Sequence, residues 1–206
     1  MKKIISLIFL VALIFTLSSC EKNRKYDEEE LFREAETLVE KSKILNEIYW
    51  GEGISYIDDD SLANGYYYMA DPASLYKYGF DTIEELKSLT KEVFTKEYSE
   101  SIFKTALSAI NDATSIGGYT RYFQDFECIR VYKKATIFLT DKVEYDYGTL
   151  KVKKVKGEKI TVSVKATVTR DEKSQTRECE IVLIEEENGF RIDTPTYLVY
   201  REEAKN

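Results

Sequence analysis

The sequence predicts an α+β domain: an N-terminal long helix plus a helix pair packed on a curved antiparallel sheet. Three observations predict it. Residues 28–49 place Leu31, Ala35, Leu38, Ser42, Leu45 and Tyr49 at alternating spacings of four and three, which lines one helical face. Two further helical segments follow, at about 81–94 and 96–110. Later the period becomes two: Ile160, Val162, Val164, Ala166 and Val168 alternate with Thr161, Ser163, Lys165, Thr167 and Thr169. That is a strand with one buried and one wet face. Helices first and a run of strands afterwards is the order of α+β folds.

The elements follow in chain order. Residues 1–20 carry Lys2 and Lys3, then an apolar run from Ile4 to Leu17, then Leu17-Ser18-Ser19-Cys20. The apolar run suits a secretory segment and is short of the roughly 20 residues a spanning helix needs. Leu, two small residues and Cys resemble a bacterial lipobox. Residues 1–19 are thus expected to be a lipoprotein signal peptide and Cys20 the lipidated residue. Residues 20–30 are expected to form the lipidated Cys and tether, and 31–206 a single domain. The protein is then extracytoplasmic and held on a bacterial membrane by its N-terminal lipid.

In the first helix Phe32, Val39 and Ile48 widen the apolar stripe, so it must pack on something broad. Glu28, Glu29 and Glu30 suit its N-terminus, and Gly51 and Gly53 end it. Tyr66-Tyr67-Tyr68-Met69 reads as a short strand closed by Pro72. Asp81 with Glu84 reads as the capping pair of the second helix, and Thr95 as the N-cap of the third. Gly117 and Gly118 mark its exit. Strands are expected at about 124–132, 135–140 and 148–156, with a polar turn at 170–175 and a strand at 177–186. Asn188-Gly189 is expected to turn the chain into the strand opened by Phe190-Arg191-Ile192.

Composition excludes several function classes. The chain has no His, which removes Ser-His-Asp triads, Cys-His dyads and imidazole metal sites. Its net charge is −7, and loss of Lys2 and Lys3 with the leader takes this to −9. No nucleic-acid partner is expected of so acidic a chain. Asp58-Asp59-Asp60 lacks the Gly and Glu of an EF-hand loop and reads as solvated, so no metal is assigned. Beyond Cys20 there are Cys128 and Cys179, and geometry decides between a disulfide and two free thiols. Neither has a His partner, so a Cys nucleophile is not expected. No catalytic residue or cofactor is assigned, and the chain is not expected to be an enzyme.

The order of long helix, short strand, helix pair and hairpins resembles the NTF2-like or cystatin-like cone, whose sheet curls round the long helix and leaves a pocket. Three stretches carry a closer resemblance. They are Tyr66-Tyr67-Tyr68 followed by Phe80-Asp81-Thr82-Ile83-Glu84-Glu85-Leu86, then Phe94-Thr95-Lys96-Glu97-Tyr98, then Asn188-Gly189-Phe190-Arg191-Ile192-Asp193-Thr194-Pro195-Thr196-Tyr197. Together they resemble the IseA-type DL-endopeptidase inhibitors, extracytoplasmic bacterial proteins that restrain NlpC/P60-type peptidoglycan hydrolases. The likeness covers most of 32–200, with Phe190 where the family usually has Trp, and leaves 111–158 unaligned. It implies a lipid-anchored inhibitor whose partner is a cell-wall hydrolase. The alternatives are a small ligand in the cone pocket, or a non-catalytic envelope interaction module. The family's inhibitory loop lies among its strands, and no residue of it is carried over. From the residues themselves, two protrusions are candidate binding loops. One is 141–147, with Asp141, Glu144, Tyr145, Asp146 and Tyr147; the other is the turn at 170–175, with Asp171 and Glu172.

Overall fold

The periodic apolar face of the first helix sets the architecture. The structure, a computed structural model, describes residues 26–107, 120–126, 128–134 and 141–201. Helix α1 runs Glu28–Trp50 and buries Leu31, Ala35, Leu38, Ser42, Leu45 and Tyr49, the expected stripe, together with Val39, Asn46 and Ile48. Asp27 caps it, accepting from the backbone N–H groups of Glu29 and Glu30 at 3.0 and 3.2 Å. The expected tether therefore ends sooner: its last three residues are the first turn of α1, and the Tyr26 ring lies 6.0 Å from that of Phe190. Cys20, the leader, the end of the third helix beyond 107, the Gly117-Gly118 exit and the strand expected at 135–140 lie outside the described residues.

Three shorter helices follow: α2 Pro72–Tyr78, α3 Ile83–Val93 and α4 Lys96–Ala106. Pro72 opens a helix as well as closing a strand. It sits at the first helical position behind the N-cap Asp71, where a missing N–H and a fixed φ are no handicap. The capping box of α3 lies one residue later than the sequence suggested. Thr82 Oγ1 accepts from Glu85 N at 3.1 Å, and Glu85 Oε2 accepts from Thr82 N at 3.3 Å. Thr95 caps α4 as expected, accepting from Tyr98 N. Its own N–H donates to Ile192 O at 2.9 Å and its hydroxyl to Asp193 Oδ1 at 2.8 Å, which ties the elbow between α3 and α4 to the last strand.

The strands are β1 Tyr67–Met69, β2 Tyr122–Asp125, β3 Cys128–Tyr132, β4 Lys142–Lys156, β5 Lys159–Arg170, β6 Lys173–Glu186 and β7 Gly189–Ile192. They form two antiparallel sheets among the described residues, ordered β1-β3-β2 and β4-β5-β6-β7, where one curved sheet was expected. The single strand expected at 124–132 is a hairpin instead, turning at Phe126 with φ 53°. The strand expected at 148–156 is the second half of the longer β4. The turn after β6 is made by Glu187 and Asn188, and Gly189, with φ 102°, already pairs with Glu186.

The apolar half of the β5 alternation is realised: Ile160, Val162, Val164, Ala166 and Val168 are buried, while Ser163, expected on the wet face, is buried as well. Register places Ile160 opposite Leu183 and Val162 opposite Ile181, and α1 lies over this inner face. Each such fully buried side chain contributes about 1.5–3 kcal/mol.

The C-terminal end of α1 is closed from a distance. Its last turn carries no basic residue. Tyr122 OH donates to Ile48 O at 2.7 Å and accepts from Ile54 N at 3.1 Å and from Arg121 Nε at 3.0 Å. Arg121 Nη2 donates to Gly51 O at 2.5 Å. A buried guanidinium thus stands where the helix dipole favours positive charge.

Candidate functional site

The residues expected to form a binding loop at 141–147 belong to a strand, and its pleat sorts them. Val143, Tyr145 and Tyr147 point toward α1, while Lys142, Glu144 and Asp146 are exposed on the other face of the edge strand β4. The mixture of acid and Tyr that suggested a loop is a period-two pattern.

Tyr145 and Tyr147 stack with ring centres 6.0 Å apart and 16° between planes. Tyr147 OH donates to Glu40 Oε1 at 2.6 Å, and Tyr145 OH donates to Thr196 O. Lys43 Nζ lies 5.5 and 5.9 Å from the two ring centres and 2.6 Å from Glu40 Oε1. Burial pushes both phenols well above their usual range, and for Tyr147 the Glu40 carboxylate adds to it. Burial also pushes the Glu40 carboxyl up, but the hydrogen bonds from Lys43 and Tyr147 outweigh it and hold Glu40 below its usual range.

Asp141 is a structural carboxylate. Its side chain is 2% exposed. Arg170 grips it with Nε at 2.5 Å and Nη2 at 2.7 Å, and Tyr200 N donates to it at 2.7 Å. The Arg170 hydrogen bonds hold it below the usual carboxylate range. The sign of the pH effect follows. The stabilisation is fully present above the unfolded value near 3.8 and is lost as pH falls through the lower folded value. Asp141→Asn is expected to lower stability by about 1.5–3 kcal/mol at neutral pH, in line with charged hydrogen bonds. It is also expected to flatten the acid limb of a stability–pH curve below about pH 4, measured by urea unfolding.

Asp171 and Glu172 fare differently. They make the two-residue turn between β5 and β6, both exposed, with φ 47° and 67°. The turn is narrower than the expected 170–175, because β5 pairs through Arg170 with Lys173. Side-chain rungs stiffen the hairpin beneath it: Thr169 with Ser174 and Thr167 with Thr176, each at 2.9 Å. Because Lys142 pairs with Thr169 and Asp141 with Arg170, the start of β4 and this turn share one end of the sheet. Of the candidates, Glu144, Asp146, Asp171 and Glu172 face solvent, and Asp141, Tyr145 and Tyr147 are held within the fold.

Sequence reasoning missed the segment that covers this end. Residues 194–201, outside any strand, cross the inner face, with Thr196 buried. Asn46 Nδ2 donates to Thr196 Oγ1 at 2.9 Å, and the hydroxyls of Thr196 and Ser42 meet at 2.7 Å. Further on, Arg177 Nη2 donates to Val199 O at 3.1 Å. The signal was a polar Ser42 inside an apolar stripe, which calls for a buried partner. A cleft of about 230 Å³ remains between Lys43, Asn46, Glu47, Val143, Tyr145 and Tyr197.

The other candidates resolve simply. Asp58 pairs with Lys133 Nζ at 2.5 Å, Asp59 accepts from Ser61 N at 2.9 Å, and Asp60 accepts from Tyr68 OH at 2.6 Å, so all three carboxylates serve local structure. Among the described residues no group of His, Cys, Asp and Glu is placed to hold a metal ion. Cys128 and Cys179 are free thiols in different sheets, and burial pushes the Cys179 thiol up, away from thiolate reactivity. No described helix is long and apolar enough to cross a membrane. No protein-family model matches the chain, and no curated protein sequence matches it.

Proposed function

We propose that the protein is a lipid-anchored, non-catalytic binding module of a bacterial envelope that inhibits a peptidoglycan DL-endopeptidase of the NlpC/P60 type. The observation that carries this reading is the acidic turn of Asp171 and Glu172. It is exposed, held in a left-handed backbone conformation that costs non-glycine residues about 1 kcal/mol or more each, and braced by the Arg170–Asp141 fork and two hydroxyl rungs. A rigid projection binds with little ordering cost, and its charge steers a basic partner. The lipobox and the three matching stretches support the partner class. The long α1 against the β4–β7 sheet supports an NTF2-like or cystatin-like cone, with the small β1-β3-β2 sheet as an addition. Residues 196–200 leave a cleft of about 230 Å³ beside β4, below the 300–1,000 Å³ usual for small-molecule sites, while hollows of about 390 Å³ between α1 and β7 and about 530 Å³ beside β2 keep a small ligand as the second reading. Burial pushes the Tyr145 phenol of the cleft beside β4 away from the range useful for proton transfer near neutral pH.

The test is hydrolysis of peptidoglycan by a purified NlpC/P60 endopeptidase titrated with this protein. Stoichiometric inhibition is expected. Replacing both Asp171→Lys and Glu172→Lys is expected to weaken it by about tenfold or more, mainly through slower association at low salt. Full hydrolase activity at saturating protein, with no complex by size-exclusion chromatography, would overturn the proposal.

A further inference from the structure

The β4–β5 hairpin reads Lys151-Val152-Lys153-Lys154-Val155-Lys156-Gly157-Glu158-Lys159: five lysines in nine residues of a chain whose net charge is −7. Register gathers them. Lys151 lies opposite Ser163, Lys154 opposite Thr161 and Lys156 opposite Lys159, so these four share the sheet face turned away from α1. The acidic groups beside them are Glu158 in the turn itself, Glu185, whose N–H donates to Glu158 O at 3.0 Å, and Glu178, Glu180 and Asp193. Lys153 takes Glu178 at 2.7 Å and Lys159 lies 3.7 Å from Asp193. Lys154 and Lys156 make no ion pair among the described residues. The outer face thus carries three lysines, Lys151, Lys154 and Lys156, outside the two ion pairs of the described residues.

Its position matters as much as its charge. Tyr26, the first described residue, places its hydroxyl 3.4 Å from Gly157 O at the tip of this hairpin. Cys20 is six residues earlier, and six extended residues span at most about 21 Å. The intervening stretch adds Lys22, Arg24 and Lys25 against a single Glu21. Given the lipid-anchor reading of Cys20, on which this inference rests, the lysine corner cannot stray far from the bilayer.

We propose that the outer face of the β4–β5 hairpin docks on anionic phospholipid headgroups at the point where the anchor enters the membrane. Two acyl chains on a lipobox Cys already hold the chain at the membrane, so the basic face sets how the domain lies against it. Attraction acts within the Debye length of about 8–10 Å, and a tether reaching at most about 21 Å keeps the face within easy approach of that range. Docking also orients the domain. The lysine turn and the acidic turn of Asp171 and Glu172 lie at opposite ends of the twelve-residue β5, about 40 Å apart at 3.3 Å per residue. With the first on the membrane, the second points outward, where a cell-wall enzyme would meet it.

The test uses the chain from Cys20 onward, made without lipid, and sedimentation with vesicles of phosphatidylcholine alone or with about 30 mol % phosphatidylglycerol. Partitioning at low salt is expected to be at least about tenfold stronger on the anionic vesicles and to fade as salt is raised. Lys154→Glu with Lys156→Glu is expected to abolish that preference, while Lys142→Glu with Lys165→Glu, at the far end and the middle of the same face, is expected to keep most of it. All four positions are on the sheet surface, and thermal melts of each variant confirm folding. No preference for anionic vesicles, equal loss in both variants, or retention by anionic wall polymer but not by vesicles would each overturn the proposal. Labelling of whole cells with a palmitate analogue tests Cys20 separately, so a failed anchor and a failed docking face give different results.

Discussion

Gly53→Ala is expected to destabilise the fold by about 3–5 kcal/mol, a large share of the 5–15 kcal/mol that typically holds a domain together. Gly53 has φ 79°, and an added Cβ would stand on the Tyr122 hydroxyl oxygen, 2.6 Å from Arg121 Nη2 and 3.1 Å from Ile48 O. The left-handed backbone alone accounts for about 1–2 kcal/mol. The remainder comes from displacing Tyr122 OH, which satisfies Ile48 O and Ile54 N in the interior. Each buried group left without a partner costs about 1–3 kcal/mol. Gly65→Ala is the control: φ is 63°, nothing lies within 4 Å of its added Cβ, and only the backbone strain is expected. Urea unfolding followed by the fluorescence of Trp50, the single Trp, checks both variants. Equal losses in the two would show that the Tyr122 and Arg121 plug contributes nothing.

Thr196→Val is expected to lower stability by about 2–3 kcal/mol and to free the C-terminal segment. Val keeps the shape and removes the hydroxyl. Ser42 Oγ already donates to Val39 O at 2.7 Å, so it is the acceptor for the Thr196 hydroxyl, and Thr196 in turn accepts from Asn46 Nδ2. Without that oxygen an amide N–H and a hydroxyl lone pair are stranded in a region closed to water. Thr196→Ser retains the hydroxyl and is expected to cost under about 1 kcal/mol. Thermal melts give the ordering, and limited proteolysis reads the tail: cleavage after 196 is expected to accelerate in the Val variant only. A Ser variant as unstable as the Val variant would place the effect in methyl packing.

Local pattern carried much of the fold. The α1 stripe and the β5 alternation each fix a buried face within one element, so spacing alone reveals them. The errors came where two local meanings compete or where the partner is remote. Pro72 closes a strand and opens a helix equally well, and only Asp71 before it, accepting from Ala73 N at 3.0 Å, decides for the helix. Asp81 and Thr82 are both good caps, and the reciprocal bonds with Glu85 select Thr82. Residues 141–147 looked like a loop because their acids were weighed above their alternation. Two sheets instead of one, and the seat of Arg121 against Gly51, depend on register between distant segments, for which no local pattern exists. For the candidate site, Asp171 and Glu172 were legible as a polar turn. Thr196 was not, because its role is defined by Ser42 and Asn46 on the far side of the chain.

That separation governs the order in which the molecule can be completed. Helix α1 is the first described element to be synthesised, yet Ser42 waits for a residue 154 positions later and Ile48 for one 74 positions later. Contacts of such span close late in folding. A chain emerging from its N-terminus therefore covers the apolar face of α1 in stages, first with the helices at 83–106 and then with the sheet, while Ser42 and Asn46 wait for Thr196. Any product cut short before Thr196 retains unpaired polar groups at the centre of its longest helix. Such fragments lack the Thr196 partner of Ser42 and Asn46 and are open to proteolysis, so the segment around Thr196 decides whether the helix is closed.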